Sequence, residues 1–287
     1  MTLPSLDGWM QTAKQLHIAA EFLGVIQVVL MDHQPNYLEF ALEPLPAGLS
    51  TAILPNGGRV ILDFSRAALI YRHHDSVETG VPLNNTTHAR AFGELLVIMS
   101  KADAAPLLAS VAEERLLSAM FDALHAKGHH LLDDSIDTLE SVVFDVDTAL
   151  AADYARVLYA MFTGLARFRA RLNGHMTPMV VWTEHFDLST LWFVDGDMDD
   201  HKPHMNFGFA PFSTGFPRPY LYAYAYPYPA NSAFVSLPAP ARWHNEGWTG
   251  VVVDYDDILR SPQPEIYVEQ MCLGIFSALR PLLQQQA

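Results

Sequence analysis

Five tyrosines at strict alternation constrain the fold of this chain more than any other feature. Residues 220 to 229 read YLYAYAYPYP, with tyrosine at positions 220, 222, 224, 226 and 228. A period of two predicts a β-strand, because successive side chains of a strand point to opposite faces of its sheet. We therefore expect all five phenols on one face and Leu221, Ala223 and Ala225 on the other.

The tyrosine face has two interpretations. Five successive buried hydroxyls are difficult to satisfy in a core, so part of the strand is expected to reach solvent or a ligand, where phenols stack on a sugar or an aromatic molecule and donate hydrogen bonds. The alternative is a sheet face covered by a helix, with the hydroxyls bonded at its edges. The covered sheet face is favoured, by a narrow margin.

Hydrophobic periodicity elsewhere alternates between helical and strand patterns, which predicts the α+β class with a mostly antiparallel sheet packed against helices. The predicted helices cover about 6–23, 87–99, 106–127, 148–172 and 264–283. The predicted strands are YLEFAL, RVILDF, AALIYR, SVVFDV, MVVWTEH, LSTLWFV, YLYAYAYPYP and GVVVDY. We expect a single compact domain over 1–287, with a duplication of related α+β halves, 1–145 and 146–287, as the alternative.

Composition excludes several classes of protein. The chain has 17 Lys plus Arg against 32 Asp plus Glu, a net charge of −15 that repels nucleic acid and anionic membranes. Its apolar stretch FLGVIQVVLM is about half as long as a spanning helix, and a single cysteine forms no internal disulfide. We expect a cytoplasmic protein; the sequence identifies neither a cofactor nor an oligomeric state.

Familiar catalytic and cofactor-binding motifs are absent from the sequence. It has no GxGxxG turn, GxxxxGK[ST] loop, GxSxG elbow, HExxH helix or CxxC pair. This excludes the common forms of nucleotide binding, serine hydrolysis and zinc proteolysis. Cys272 lies in the apolar run MCLGIF, where a thiol serves as a small hydrophobic side chain.

Candidate polar chemistry is concentrated in VWTEHFDLSTLWF, from residue 181, and GDMDDHKPHMNFGF, from residue 195. The H-x-x-H spacing of His201 and His204 is typical of metal ligands, and Glu184 or Asp187 could complete such a site. Hydrogen-bonded or exposed histidines explain the same pattern and are favoured. The metal site, with metal-assisted hydrolysis or an acid–base lyase reaction, stays the alternative.

Two further groups favour structural roles. Asp195, Asp197 and Asp199 alternate as in a calcium loop, but that loop needs Gly at its sixth position and Glu at its twelfth, and this chain lacks both. His244 and Glu246 form either an acid–base pair or a hydrogen-bonded turn, and the turn is favoured.

Several motifs together resemble a bacterial family of about this length that is known only as a domain of unknown function. They are W-x-x-T-x-x-x-L-H from Trp9 to His17, GLST at 48–51, FDL at 186–188, His204 followed by GF at 208–209, and YAYAYP at 222–227. The resemblance spans nearly the whole chain and implies one family unit, but no activity. Where the family has a basic stretch and an arginine, this chain has Gly24–Val28 and Trp192, which implies loss or alteration of any anion site there.

From the patterns and the resemblance we expect a small organic molecule to bind in a pocket of tyrosine, histidine and aspartate side chains. In this hypothesis phenols stack on the ligand while a carboxylate orients a histidine or the ligand. The expected ligand-binding residues are His17, His185, Asp187, His204, Tyr222, Tyr224 and Tyr226.

Overall fold

The computed structural model describes residues 2–73, 79–130, 136–196, 198–228 and 235–284. It contains helices together with strands that pair antiparallel wherever a register is defined, which confirms the α+β class. The chain divides into two compact units. The C-terminal unit contains Met1–Met10, Arg156–Val180 and Asp187–Ala287, and the N-terminal unit contains Gln11–Ala155 and Val181–Phe186. The single domain and the duplicated halves both stay predictions.

Strands β1 to β5 of the N-terminal unit form an antiparallel meander, in which each strand pairs with the next along the chain. The strands are β1 (Ala41–Leu45), β2 (Gly48–Ser50), β3 (Arg59–Asp63), β4 (Ala68–Arg72) and β5 (Thr79–Pro82). Pro46 lies in the short turn between β1 and β2, and Pro55, Gly57 and Gly58 lie between β2 and β3, as turns between antiparallel neighbours allow. Strand β7 (Val180–Trp182) pairs with β1 through its last two residues.

The helices of this unit bury apolar side chains. They are α1 (Met10–Leu30), α2 (His88–Lys101), α3 (Leu116–Ala126), α4 (Ile136–Ser141) and the start of α5 (Thr148–Arg169). Helix α2 begins at a capping residue, because the Thr87 hydroxyl accepts a hydrogen bond from the Arg90 backbone N–H. Phe22 of α1 stacks on Phe92 of α2 with centroids 3.9 Å apart, which joins these two helices in the core.

The C-terminal unit is built on a sheet with the order β11–β12–β10–β9–β8, in which β6 also pairs with β8. Its elements are β6 (His175–Met176), β8 (Asp187–Phe193), β9 (His204–Ala210), β10 (Tyr220–Tyr226), β11 (Arg242–His244), β12 (Gly250–Asp254), α6 (Tyr255–Leu259) and α7 (Pro264–Gln284). The predicted tyrosine strand is therefore confirmed as β10, with paired strands on both sides.

The two faces of this sheet have different neighbours. Phe207 of β9 packs on Phe168 of α5 and Phe276 of α7, at centroid distances of 4.6 and 6.3 Å. Cys272 is fully buried in α7, as the sequence predicts, and burial raises the pKa of its thiol. Because side chains alternate along β9, His204, Asn206, Gly208 and Ala210 lie on the opposite face, beside the tyrosines of β10.

Four predicted elements differ in the structure. Helix α1 continues to Leu30 instead of Leu23, because the run FLGVIQVVL is buried as helix. Residues Pro35–Phe40 form 3₁₀ turns, with Asn36 and Tyr37 at a φ of 55°, so the predicted strand YLEFAL begins only at Ala41. The segment predicted as one helix over 106–127 contains two 3₁₀ turns before α3, and SVVFDV contributes only a bridge between Val143 and Thr87.

Within the part of the chain that the structure describes, two helices are long and apolar enough to cross a membrane by length and composition alone: α1, and α7 over Pro264–Leu283. The protein buries 78% of the apolar window of α1, as in a core helix, and 44% of that of α7. Weak evidence of this kind assigns no location to the chain. Cytoplasmic location stays a prediction.

Candidate functional site

The first two tyrosines of β10 belong to the core. Tyr220 and Tyr222 are 5% and 8% exposed and pack in one cluster with Val252. The Tyr220 hydroxyl is 2.8 Å from the Ser213 hydroxyl. Burial raises the pKa of Tyr220, so the phenol stays neutral. The core interpretation therefore applies to this end of the strand.

Tyr222 reaches across β9 to β8, where its hydroxyl donates a hydrogen bond to Oδ2 of Asp187. The ring passes over Gly208, its cross-strand neighbour. A Cβ atom at Gly208 would lie 2.5 Å from Cζ and Oη of Tyr222, so only glycine leaves room for the ring. Burial, together with the nearby Asp187 carboxylate, raises the pKa of Tyr222 well above its ordinary value.

Tyr224 is half-buried and contacts Asn206, which lies opposite it on β9. The Asn206 Nδ2 donates to the Tyr224 hydroxyl at 3.1 Å, and burial raises the pKa of Tyr224 to about 12. Asn206 is only 8% exposed, and its Oδ1 is buried with no hydrogen-bond partner among the residues that the structure describes. A buried acceptor therefore lies unmatched beside the middle of the tyrosine strand.

His204 presents a second acceptor on the same face. Its Nδ1 is 2.8 Å from the carbonyl oxygen of Lys202, and a carbonyl only accepts, so Nδ1 carries the proton. Burial is the largest effect on His204 and lowers its pKa, which favours the neutral ring at neutral pH. The lone pair is then on Nε2, which makes no hydrogen bond within the described part of the chain.

The far end of the tyrosine strand opens to solvent. Tyr226 is half-buried and Tyr228 is 48% exposed, and neither hydroxyl has a hydrogen-bond partner in the described ranges. Tyr226 stacks on His204 at a centroid distance of 5.3 Å. The tyrosines thus change from buried and bonded to open and unbonded along one strand.

Four adjacent rings, His204, Tyr224, Tyr226 and Tyr228, form what we call the aromatic cluster. The Tyr224 ring lies 6.0 Å from both His204 and Tyr228, and Tyr226 lies 6.3 Å from Tyr228. These separations are typical of interacting aromatic rings. The cluster has an unmatched buried acceptor, Asn206 Oδ1, at its inner side and solvent at its outer side.

The other predicted site residues lie in the N-terminal unit, on α1 and on the turn after β7. The His17 Nε2 donates to the carbonyl of Thr183 at 2.8 Å, and the ring stacks on Phe186 at 5.3 Å. Burial lowers the pKa of His17. Glu184 and His185 are exposed on this turn, where the sequence instead predicted a continuing strand.

Glu21, which sequence reasoning missed, lies one helical turn beyond His17. Glu21 is 6% exposed, its Oε1 lies 3.8 Å from His17 Nε2, and its carboxyl accepts no hydrogen bond from the described residues. Burial, reinforced by the charge of Glu184, raises the pKa of Glu21 to about 8. The signal in the sequence was a lone acidic residue within the apolar part of α1.

The described residues do not bring the ligands of the predicted metal site together in one group. Among those residues, three candidate ligands have atoms within 4.8 Å of one another: Asp199, Asp200 and His201. This group includes neither His204 nor Asp187. His201 pairs with Asp199 and Asp200 at 3.0 and 2.8 Å and is exposed. Asp197, part of the calcium pattern, lies outside the described residues.

His244 also has a structural partner. Its Nε2 is 2.8 Å from the backbone carbonyl of Glu246, and its ring contacts Trp248 at 4.8 Å. The imidazole thus bonds to the backbone of this turn, as in the favoured interpretation.

The structure defines the class as an α+β protein whose C-terminal unit carries a tyrosine strand that is buried at one end and open at the other. The chain belongs to a family of unknown function, DUF5996, whose model matches residues 2–279. No curated protein and no solved structure is similar enough to match it. The family membership confirms the resemblance and brings no activity with it.

Proposed function

We propose that this protein binds a small organic molecule at the aromatic cluster. The observation that carries the proposal is Asn206 Oδ1, a buried acceptor that has no partner among the described residues and lies next to rings open to solvent. An unsatisfied buried polar atom costs about 1–3 kcal/mol, and a ligand that donates to it removes this cost. The half-buried rings of Tyr224 and Tyr226 supply apolar area for the same ligand.

The proposal divides the tyrosine strand between two roles. Tyr222 and Asp187 support the site from the core, since each already binds the other. Tyr224, Tyr226 and His204 contact the ligand. His17 and His185 belong to the N-terminal unit, and the aromatic cluster does not require them. Metal-assisted hydrolysis and lyase chemistry have no specific observation in their favour, so we do not propose them.

The remaining expectations accompany this proposal. A net charge of −15 disfavours nucleic acid and anionic membranes as partners. A water-soluble small molecule and a cytoplasmic location are consistent with that charge. Fractionation of cells that express the protein, with a membrane wash at high salt, tests the location.

Three single-ring probes of different charge test the binding proposal: benzylammonium, benzyl alcohol and benzoate. We expect at least one to bind with a dissociation constant below about 10 mM, because even small fragments gain appreciable free energy per atom in a preformed site. Ligand-observed NMR titration of the purified full chain measures it. Asn206→Leu and Tyr226→Ala should each weaken binding about tenfold.

Tyr159→Ala is the matched control, because Tyr159 is also a partly exposed tyrosine of the C-terminal unit but lies on α5. Its binding should equal that of the unchanged protein. Urea unfolding of every variant separates lost binding from lost folding. The proposal is wrong if none of the three probes binds, or if Tyr159→Ala weakens binding as much as Tyr226→Ala does.

A further inference from the structure

Among the described residues, the buried polar atoms left open at the aromatic cluster are acceptors, while the outer hydroxyls of Tyr226 and Tyr228 can also donate. Asn206 Oδ1 is unmatched and buried, and the Nε2 of His204 has its lone pair available because Nδ1 donates to Lys202. Both atoms lie on one face of β9, two residues apart. At the buried side of the cluster, these two acceptors favour a ligand group with N–H donors over a carboxylate or phosphate, which brings only acceptors.

The rings of the cluster favour positive charge. Tyr224, Tyr226 and Tyr228 have centroids 6.0 to 6.3 Å apart in the pairs that contact each other, and Tyr228 leaves one side open to solvent. The face of a tyrosine ring carries negative charge from its π electrons, so adjacent tyrosine rings attract an ammonium group.

The charged side chains that act directly on His204 and Tyr224 include the carboxylates Asp200 and Asp187. Asp200 acts on both His204 and Tyr224, and Asp187 also acts on Tyr224. His201 and Lys202, on the same loop as Asp200, offset part of this field through Asp199 and Asp200. The acceptors and rings therefore supply most of the selectivity, and the protein's net charge of −15 adds attraction at long range.

We infer that the ligand of the aromatic cluster is a protonated primary or secondary amine that carries an apolar or aromatic group. This inference rests on the proposed function and adds its chemical class. The ammonium N–H groups donate to Asn206 Oδ1 and His204 Nε2, while the rings of Tyr226 and Tyr228 contact the cation and its apolar group. The N–H groups of the ligand thus meet the two open acceptors, and its cation and apolar group meet the outer rings of the cluster.

Four probes separate the contributions when titrated at neutral pH and moderate salt. Benzylammonium has charge and N–H donors, benzyltrimethylammonium has charge alone, benzyl alcohol is neutral, and benzoate is negative. We expect benzylammonium to bind at least tenfold more tightly than benzyl alcohol or benzyltrimethylammonium, and benzoate to bind most weakly. Asn206→Leu should abolish the advantage of benzylammonium over benzyltrimethylammonium, and Tyr228→Leu should weaken both cations.

The outcomes distinguish this inference from the proposal beneath it. If benzyl alcohol or benzoate binds as tightly as benzylammonium, and Asn206→Leu weakens that binding, the amine class is wrong while the binding site stands. If benzyltrimethylammonium binds as tightly as benzylammonium, the inferred role of N–H donors in binding is wrong. If no probe binds to a folded protein, both the class and the site are wrong.

Discussion

Glu21→Gln is expected to raise the free energy of unfolding, and to raise it by about 4 kcal/mol more at about pH 9 than at about pH 5. The buried carboxyl has a folded pKa of about 8 against an ordinary value of 4.5. A raised pKa means that the folded protein holds this proton more tightly than the unfolded chain does. The stability from this proton is fully present below the ordinary value and is lost as the pH rises through about 8. Glutamine resembles the protonated form and does not ionise.

Urea unfolding of the two proteins at both pH values measures this difference. The groups that act on Glu21 are His17 on the same helix and Glu184 on the facing turn, and His185 acts on His17. Glu140→Gln is the control, because Glu140 is an exposed carboxylate at the surface of α4. An equal effect of Glu21→Gln at both pH values would show that the carboxyl is not held protonated by burial.

Gly208→Ala is expected to destabilise the protein by about 3 kcal/mol, because the added Cβ occupies the space of the Tyr222 ring. Moving that ring removes the hydrogen bond from Tyr222 to Asp187 and leaves a buried carboxylate without this donor. Urea unfolding at neutral pH measures the change. Tyr222→Phe, which removes only the hydroxyl, should cost less than Gly208→Ala does.

Gly93→Ala makes the control for this prediction. Gly93 lies within helix α2, and a Cβ atom there has nothing within 4 Å. Alanine at a helix interior is favoured over glycine, so this variant should gain about 0.5–1 kcal/mol. If Gly208→Ala unfolds at the same urea concentration as the original protein, the position of the Tyr222 ring does not require a glycine at residue 208.

The tyrosine strand shows how far the sequence alone could predict this fold. Alternation fixed the conformation of β10 and placed its phenols on one face, because both depend on local backbone geometry. Alternation could not predict that Tyr222 and Tyr224 have different hydrogen-bond partners. Their difference depends on β9, whose register brings Gly208 beside one and Asn206 beside the other.

The partners within the site were harder to predict for the same reason. Asn206 alternates with His204 in the sequence HMNFGF, so the shared face was visible, but the missing hydrogen bond of Asn206 is a property of packing. Glu21 was missed because its neighbour Glu184 is distant along the chain. The predicted ends of strands were wrong where a turn follows the strand, as at residues 183–186.

The position of benzylammonium in a crystal grown or soaked with it shows directly whether Asn206 Oδ1 binds the amine. We predict an ammonium nitrogen within hydrogen-bond distance of Asn206 Oδ1, with the benzyl ring against Tyr226, and no ordered ligand there in Asn206→Leu. Ordered ligand only at another surface, or an Asn206 Oδ1 already bonded to the protein in the ligand-free crystal, would contradict it.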